Sequence, residues 1–243
     1  ITKPIADKIE EVLGISAVSL VNMQTQYEYD MKVIEQRGVE EFEAQNALSL
    51  YNEIFDVKTL FKRIGKELTT AVQQMQYISE TLCLPQPAEL KLETSGMFRK
   101  SAKTGQDPRM LMTWKLLAES KAKRQKVSQP FNQERRNEVV AALVRALHDN
   151  RSTENTVKEI LAAEGIAFCI EEKVDKASVD GYSYIEDGIP YIILTRRYDR
   201  IDNFAFALMH EVGHIYLHYL DGRRSDCKLS IPDYDNESAE EKE

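Results

Sequence analysis

The chain has 243 residues, which is long enough for two domains and at least one well-buried core. Its net charge of −8 argues against broad, non-specific binding to nucleic acid, and no apolar stretch is long enough to cross a bilayer. Three widely separated cysteines and the absence of a signal-peptide pattern predict a cytoplasmic protein without a disulfide framework.

The first half of the chain is predicted to be helical. Its apolar residues recur at three- and four-residue spacing, and helix stops such as Gly14 and Pro85 interrupt the pattern. We expect an N-terminal helix capped by Thr2 and a domain boundary near Pro130. These signals place helices at about residues 2–13, 16–29, 38–82 and 108–124.

The second half changes character, because short β-type runs appear between helical segments. Residues 166–170, 180–185 and 191–195 are predicted strands, the last two joined by a turn at Asp187-Gly188. The middle strand could lie at a sheet edge and align an extended peptide by strand addition. Helices are expected at about residues 134–148, 152–164 and 199–220. The order predicts an α+β fold with a three-stranded sheet.

The last of these helices carries the most informative pattern, H-E-x-x-H at residues 210–214. Positions four apart share a helix face, so His210 and His214 can direct two imidazoles at one metal ion. Glu211 is one residue round the helix, where it can act as general base toward a water molecule. The pattern predicts a catalytic Zn²⁺ site.

A plainer interpretation is that both histidines are hydrogen-bonded helix residues and that Glu211 is a surface acid. Only four histidines occur in the chain, and three of them fall within nine positions. Burying imidazoles and a carboxylate in an apolar helix costs free energy unless a partner satisfies them. We therefore favour the metal site.

A catalytic zinc site takes three protein ligands and keeps one position open, so a third ligand must come from elsewhere. His218 lies about 12 Å from His210 along the helix axis, too far to share one ion. We expect His148, in a distant helix, to have a structural role. The remaining candidates are acids near the C-terminus, among which spacing does not choose: Glu237, Glu240, Glu241 and Glu243.

Residues 210–218, together with the strand at 191–194 and the phenylalanine-rich residues 204–209, resemble the ImmA/IrrE family of bacterial metallopeptidases. The resemblance covers about residues 136–243. In that family a glutamate that opens a helix after an acidic stretch is the third ligand, and residues 241–243 match the start of that element. The resemblance therefore favours Glu243, and it implies a zincin-like, gluzincin-type peptidase whose third-ligand helix is cut short.

Residues 3–15 and 22–30 resemble the last two helices of a HigA-type, XRE-like helix-turn-helix domain, which is fused to ImmA/IrrE peptidases in many bacteria. The helix that would enter the major groove is expected to be missing, and residues 1–40 contain four basic against seven acidic residues. The resemblances imply three parts: a helix-turn-helix remnant at 1–37, a helical linker domain at 38–130, and a zincin-like metallopeptidase domain, truncated at its C-terminus, at 131–243.

The function expected from motif and resemblance is that of a regulatory zinc-dependent endopeptidase. Its substrate would be a protein partner such as a transcriptional repressor. The alternative is a DNA-binding transcriptional regulator or antitoxin-like protein whose metal site is sensory or structural. DNA would then be bound only through the missing helix-turn-helix residues, and a homodimer is left open.

Overall fold

The structure, a computed structural model, describes residues 1–94, 106–196, 200–219 and 228–230. Two compact units are present. Unit 1 comprises Ile1–Leu50 and Leu68–Thr81, and unit 2 comprises Tyr51–Glu67 and the described residues from Leu82 onward. The division into residues 1–37, 38–130 and 131–243 stays a prediction. Within the described ranges, no helix combines the length and the apolar character that crossing a bilayer requires.

The first helix, α1, spans Lys3–Leu13 and confirms the prediction for this segment. Gly14 ends it with φ of 69°, a left-handed conformation that glycine adopts without a steric penalty. Thr2 is at the N-cap position, but its side chain makes no capping hydrogen bond.

The second helix, α2, spans Ala17–Asn52 without a break, so the expected interruption between residues 29 and 38 was wrong. A glycine inside a helix costs about 1 kcal/mol relative to alanine but keeps its hydrogen bonds, so Gly38 weakens the helix without ending it. Side-chain hydrogen bonds four residues apart, such as Gln36 to Glu40, add support along the exposed surface.

The single helical stretch predicted for residues 38–82 was also wrong, because capping residues divide it. After α2, a new helix α3 spans Val57–Ile64 and begins at Asp56, whose side chain accepts from the amide of Thr59. Helix α4 spans Ala71–Glu80 and begins with a capping box formed by Thr70 and Gln73. Each cap satisfies amides that a continuous helix would have paired internally.

The described part of unit 2 also contains a small sheet and six further helical segments. They are α5 at Pro87–Glu93, α6 at Pro108–Ala122, a 3₁₀ turn at Gln133–Arg135, α7 at Arg136–Asp149, α8 at Thr153–Ala163 and α9 at Ile201–His214. A π-helical turn, Ile215–Tyr219, continues α9. The predicted helices at 108–124, 134–148 and 152–164 are confirmed to within about two residues.

The three predicted strands are present as β1 (Ala167–Glu171), β2 (Gly181–Glu186) and β3 (Ile189–Thr195), and a three-residue strand β4 (Lys228–Ser230) joins them. The order is β1-β3-β2-β4, with β1 parallel to β3 and the other pairs antiparallel. The mixed α+β class is therefore confirmed. Along Gly181–Ser183, β2 pairs with β4, so this part of the strand is not the expected sheet edge.

The sheet is covered on both faces. On one face, α7, α8 and α9 enclose the main core of unit 2, in which Phe168, Ile192 and Leu194 of the sheet are buried. On the other face, α6 contributes the fully buried Trp114, whose ring meets Tyr182 of β2 edge-on. The alternation of side chains along β2 therefore decides which residues face α9.

Candidate metal centre

Helix α9 is anchored by one apolar face. Leu208, Val212 and Ile215 follow the i, i+4, i+7 spacing of a helix face and are buried in the core of unit 2. Their packing fixes the rotation of α9, so the directions of His210, Glu211 and His214 follow from it.

The two histidines of the motif lie side by side with their ring nitrogens facing each other. The Nε2 atoms of His210 and His214 are 3.0 Å apart, and the ring planes cross at 79° with centroids 4.5 Å apart. Two imidazole nitrogens at this distance must share something between their lone pairs, either a proton on one ring or a cation bound by both.

This geometry suits a zinc ion. Two nitrogens that each lie 2.0–2.1 Å from a tetrahedral Zn²⁺ are separated by about 3.3 Å, which the pair reaches by moving a few tenths of an ångström. Imidazole nitrogen is also a preferred zinc ligand. His210 and His214 are therefore suitable as two ligands of one ion.

Glu211 follows His210 in the helix and is completely buried, with 0% of its surface exposed. The hydroxyl of Ser183, on β2, donates a 2.6 Å hydrogen bond to Glu211 Oε2. The carboxylate also lies directly against the backbone of Gly181, where a Cβ atom would come within 2.5 Å of Oε1 and 2.7 Å of Cγ. A strand residue without a side chain and a hydroxyl donor thus fix the carboxylate.

The histidine pair also lies next to exposed residues of α9. Phe206 is 77% exposed and its ring is stacked on that of His210, with centroids 6.1 Å apart and planes 17° apart. Leu217, two turns after His210, is also exposed. Among the described residues, and apart from the backbone of the helix itself, no atom lies within 4 Å of the position that a Cβ on Gly213 would take. His210 is therefore partly accessible while Glu211 is not.

The proposed third ligand cannot be placed, because Glu237, Glu240, Glu241 and Glu243 lie outside the described residues, as does the side chain of His218. Among the side chains that are described, no group of three His, Cys, Asp or Glu residues is arranged to hold a metal ion. His148, expected to be structural, is highly exposed at the end of α7, with Nδ1 3.9 Å from Asp149.

The sequence did not identify Ser183 and Gly181 as site residues. The sequence of β2 does contain a pattern that could have indicated them. Small residues, Gly181 and Ser183, occupy the positions that face α9, and they alternate with the tyrosines. Tyr182 faces α6 and donates to Glu119 over 2.7 Å, and Tyr184 is buried against Tyr191 with stacked rings. These tyrosines belong to the packing of the opposite face rather than to the site.

No protein-family model matches the chain, and neither the curated proteins nor the solved structures include a significant match to it.

Proposed function

We propose that this chain is a zinc-dependent endopeptidase of the ImmA/IrrE type that acts in the cytoplasm and cleaves a regulatory protein partner, such as a transcriptional repressor. The observation that carries the proposal is the 3.0 Å approach of the His210 and His214 ring nitrogens beside a buried carboxylate. His210 and His214 would be two ligands of the zinc ion, and Glu243, from the family resemblance, would be the third.

The zinc ion would supply a Lewis acid that polarises the peptide carbonyl and favours deprotonation of the attacking water. Glu211 would accept the proton of that water and deliver it to the amine that leaves. The hydrogen bond from Ser183 to Oε2 would hold the carboxylate in one orientation for this proton transfer. Ser183 is in this proposal a positioning residue, which limits the orientations of the carboxylate without touching the substrate.

The proposed metal ligands, His210 and His214, can be tested by metal binding without a known substrate. The chain would be titrated with Co²⁺, which replaces Zn²⁺ and has visible absorption bands that report coordination geometry. We expect His210→Gln and His214→Gln each to weaken Co²⁺ binding at least tenfold. His148→Gln removes an exposed histidine outside the site and is the matched control, expected to bind as the wild type does. Equal Co²⁺ affinity in all four proteins would refute the site.

The proposed role of Glu211 as general base is tested by Glu211→Gln. This substitution keeps the shape of the side chain and removes its basicity. We expect this variant to bind Co²⁺ with nearly unchanged affinity and to lose hydrolysis of unfolded casein and of repressor-type substrates. If the wild type and Glu211→Gln cleave equally, the assigned base is wrong. If neither cleaves although Co²⁺ binds, the result favours a metal site with a sensory or structural role in a transcriptional regulator.

A further inference from the structure

The middle of α2 has almost no cover. Within residues 21–40 only Val21, Gln24 and Val33 are even partly buried by the described part of the chain. An isolated helix of this length is only marginally stable in water, and helices in proteins gain most of their stability from packing of an apolar face. The described part of the chain therefore does not supply the packing that would normally stabilise this segment.

An apolar stripe runs along this uncovered segment. Its five large side chains are each between 47% and 64% exposed, and a glycine occupies the remaining position. At about 100° per residue, all six positions fall within an arc of about 100° on one side of the helix. The stripe consists of Met23, Tyr27, Met31, Ile34, Gly38 and Phe42.

The spacing of the stripe is the same from either end: four, four, three, four and four residues. If α2 of a second copy packs antiparallel against the stripe, each stripe residue contacts the residue of the other copy that is equally far from the middle of the stripe. This middle lies between residues 32 and 33. Tyr27 then meets Gly38 of the second copy, where no atom of another described segment lies within 4 Å of the position a Cβ would take. A large ring opposite an empty position gives the knob-into-hole contact that helix pairs require. A parallel pair would instead set Tyr27 against itself and leave Gly38 opposite a void.

The charges on one side of the stripe fit the same pairing. Asp30 and Arg37 both border that side. In the antiparallel pair, Asp30 of each copy lies near Arg37 of the other. Within the described part of the chain, Arg37 forms no ion pair, and Asp30 accepts only from Gln26. Opposite charges that flank an apolar seam set the partner and its orientation.

We propose that this stripe is the interface of an antiparallel homodimer, formed by α2 of two copies of this chain. Association covers the apolar stripe and brings two pairs of opposite charges, Asp30 with Arg37 of the other copy, together beside it. This surface lies in unit 1, whereas the histidine pair lies in unit 2, and the proposal does not depend on the chain being a peptidase.

Sedimentation velocity of the 243-residue chain over a range of concentrations tests the interface. Met31→Glu/Ile34→Glu places four carboxylates at the dyad, and we expect it to raise the dimer dissociation constant at least about 30-fold. Tyr29→Glu is the matched control: Tyr29 is 63% exposed on the opposite side of the same helix. It should leave dimerisation unchanged. A wild-type chain that is monomeric throughout, or equal weakening by both variants, overturns the proposal. Circular dichroism at matched concentration confirms that each variant still folds.

A charge-reversal cycle tests the antiparallel register. Asp30→Arg sets like charges against each other at two places in the dimer, and we expect it to weaken association about tenfold at low ionic strength. Adding Arg37→Asp to the same chain restores opposite charges only if position 30 of one copy faces position 37 of the other. Recovery to within about threefold of the wild type supports this register. Additive weakening by the two substitutions overturns it.

Discussion

Ser183 and Glu211 are joined by a buried hydrogen bond of 2.6 Å that links strand β2 to helix α9. Both residues have 0% of their surface exposed. A buried carboxylate that accepts no hydrogen bond destabilises the folded state. It has lost its hydrogen bonds to water, and no hydrogen bonds within the protein replace them. This contact therefore couples the stability of unit 2 to the geometry of the candidate site.

We expect Ser183→Ala to lower the free energy of unfolding by about 1–3 kcal/mol, since the carboxylate remains buried after the hydrogen bond from Ser183 is removed. Urea-induced unfolding measures the loss. Ser79→Ala is the control, because Ser79 is exposed and its hydroxyl donates only to the backbone carbonyl of Gln76. That change should stay within about 0.5 kcal/mol. Under the proposed function, Ser183→Ala also lowers hydrolysis about 10- to 100-fold, as changes around metal sites commonly do. Equal stability of both variants would contradict the role of Ser183.

Gly181→Ala should disturb the site from the backbone side. The added methyl group would meet Glu211 at 2.5–2.9 Å, and because this carboxylate is fully enclosed it has no free space into which to move. We expect a loss of about 1–3 kcal/mol in the free energy of unfolding, together with loss of any hydrolysis that depends on Glu211.

Gly213→Ala is the matched change on the same site, because its added methyl group would have no atom of another described segment within 4 Å. Alanine is favoured over glycine inside a helix, so this variant should be more stable than the wild type by about 0.5–1 kcal/mol. Thermal and urea unfolding of the two variants would show opposite signs. A loss of stability in both would mean that the space around the motif is tighter than described.

The sequence predicted local features well where a few neighbouring residues decide the structure. Asp187 and Gly188 both adopt positive φ, 51° and 76°, and make the hairpin turn that the Asp-Gly pair predicted. The Nε2 atoms of His210 and His214 face each other because residues four positions apart lie on the same side of a helix.

Features that depend on distant contacts were not predicted. The start of α3 is fixed in part by Thr113 of α6, whose hydroxyl accepts from the amide of Asp56 over 2.8 Å. The contact of Ser183 with Glu211 joins residues 28 positions apart. No local pattern reports which strand residue will face which helix residue, since the packing of unit 2 decides it.

Gly165 is a further position where the backbone leaves no room for a side chain. Its φ is +75°, and a Cβ would lie 2.5 Å from the amide nitrogen of Phe131 and 2.6 Å from the carbonyl oxygen of Gln129. Gly188 has nearly the same φ, +76°, and within the described ranges no atom beyond its chain neighbours lies within 4 Å of a Cβ placed there. Both Gly→Ala variants therefore carry similar conformational strain, and only Gly165→Ala adds a clash with backbone atoms.

We expect Gly165→Ala to be less stable than Gly188→Ala by about 1–3 kcal/mol, the usual cost of forcing extra volume into a packed site. Comparison of urea midpoints at equal m-values measures this difference. Equal destabilisation would show that strain at positive φ, and not the contact with residues 129–131, limits substitution at Gly165.

Alkaline pH should destabilise the folded chain through Cys169, which is buried in β1. Burial raises the pKa of the Cys169 thiol from its ordinary value of 9.0 to about 12. Between these two values the unfolded chain releases the proton and the folded chain keeps it. The folded state then binds more protons, so stability falls as pH rises, by up to about 1.4 kcal/mol per pH unit from this residue.

Cys169→Ala removes the contribution of this thiol to the pH dependence of the unfolding free energy. It leaves in place other groups that titrate at alkaline pH, such as Tyr216, whose pKa is raised to about 12 by burial. At pH 8 the variant should be less stable than the wild type, because a buried side chain has been shortened. Between pH 8 and pH 10.5 the wild type should lose about 1–2 kcal/mol more than the variant, so the two curves of unfolding free energy converge. Parallel curves would mean that the thiolate is equally well accommodated in the folded and unfolded states, since only a difference in proton binding between them can change the slope.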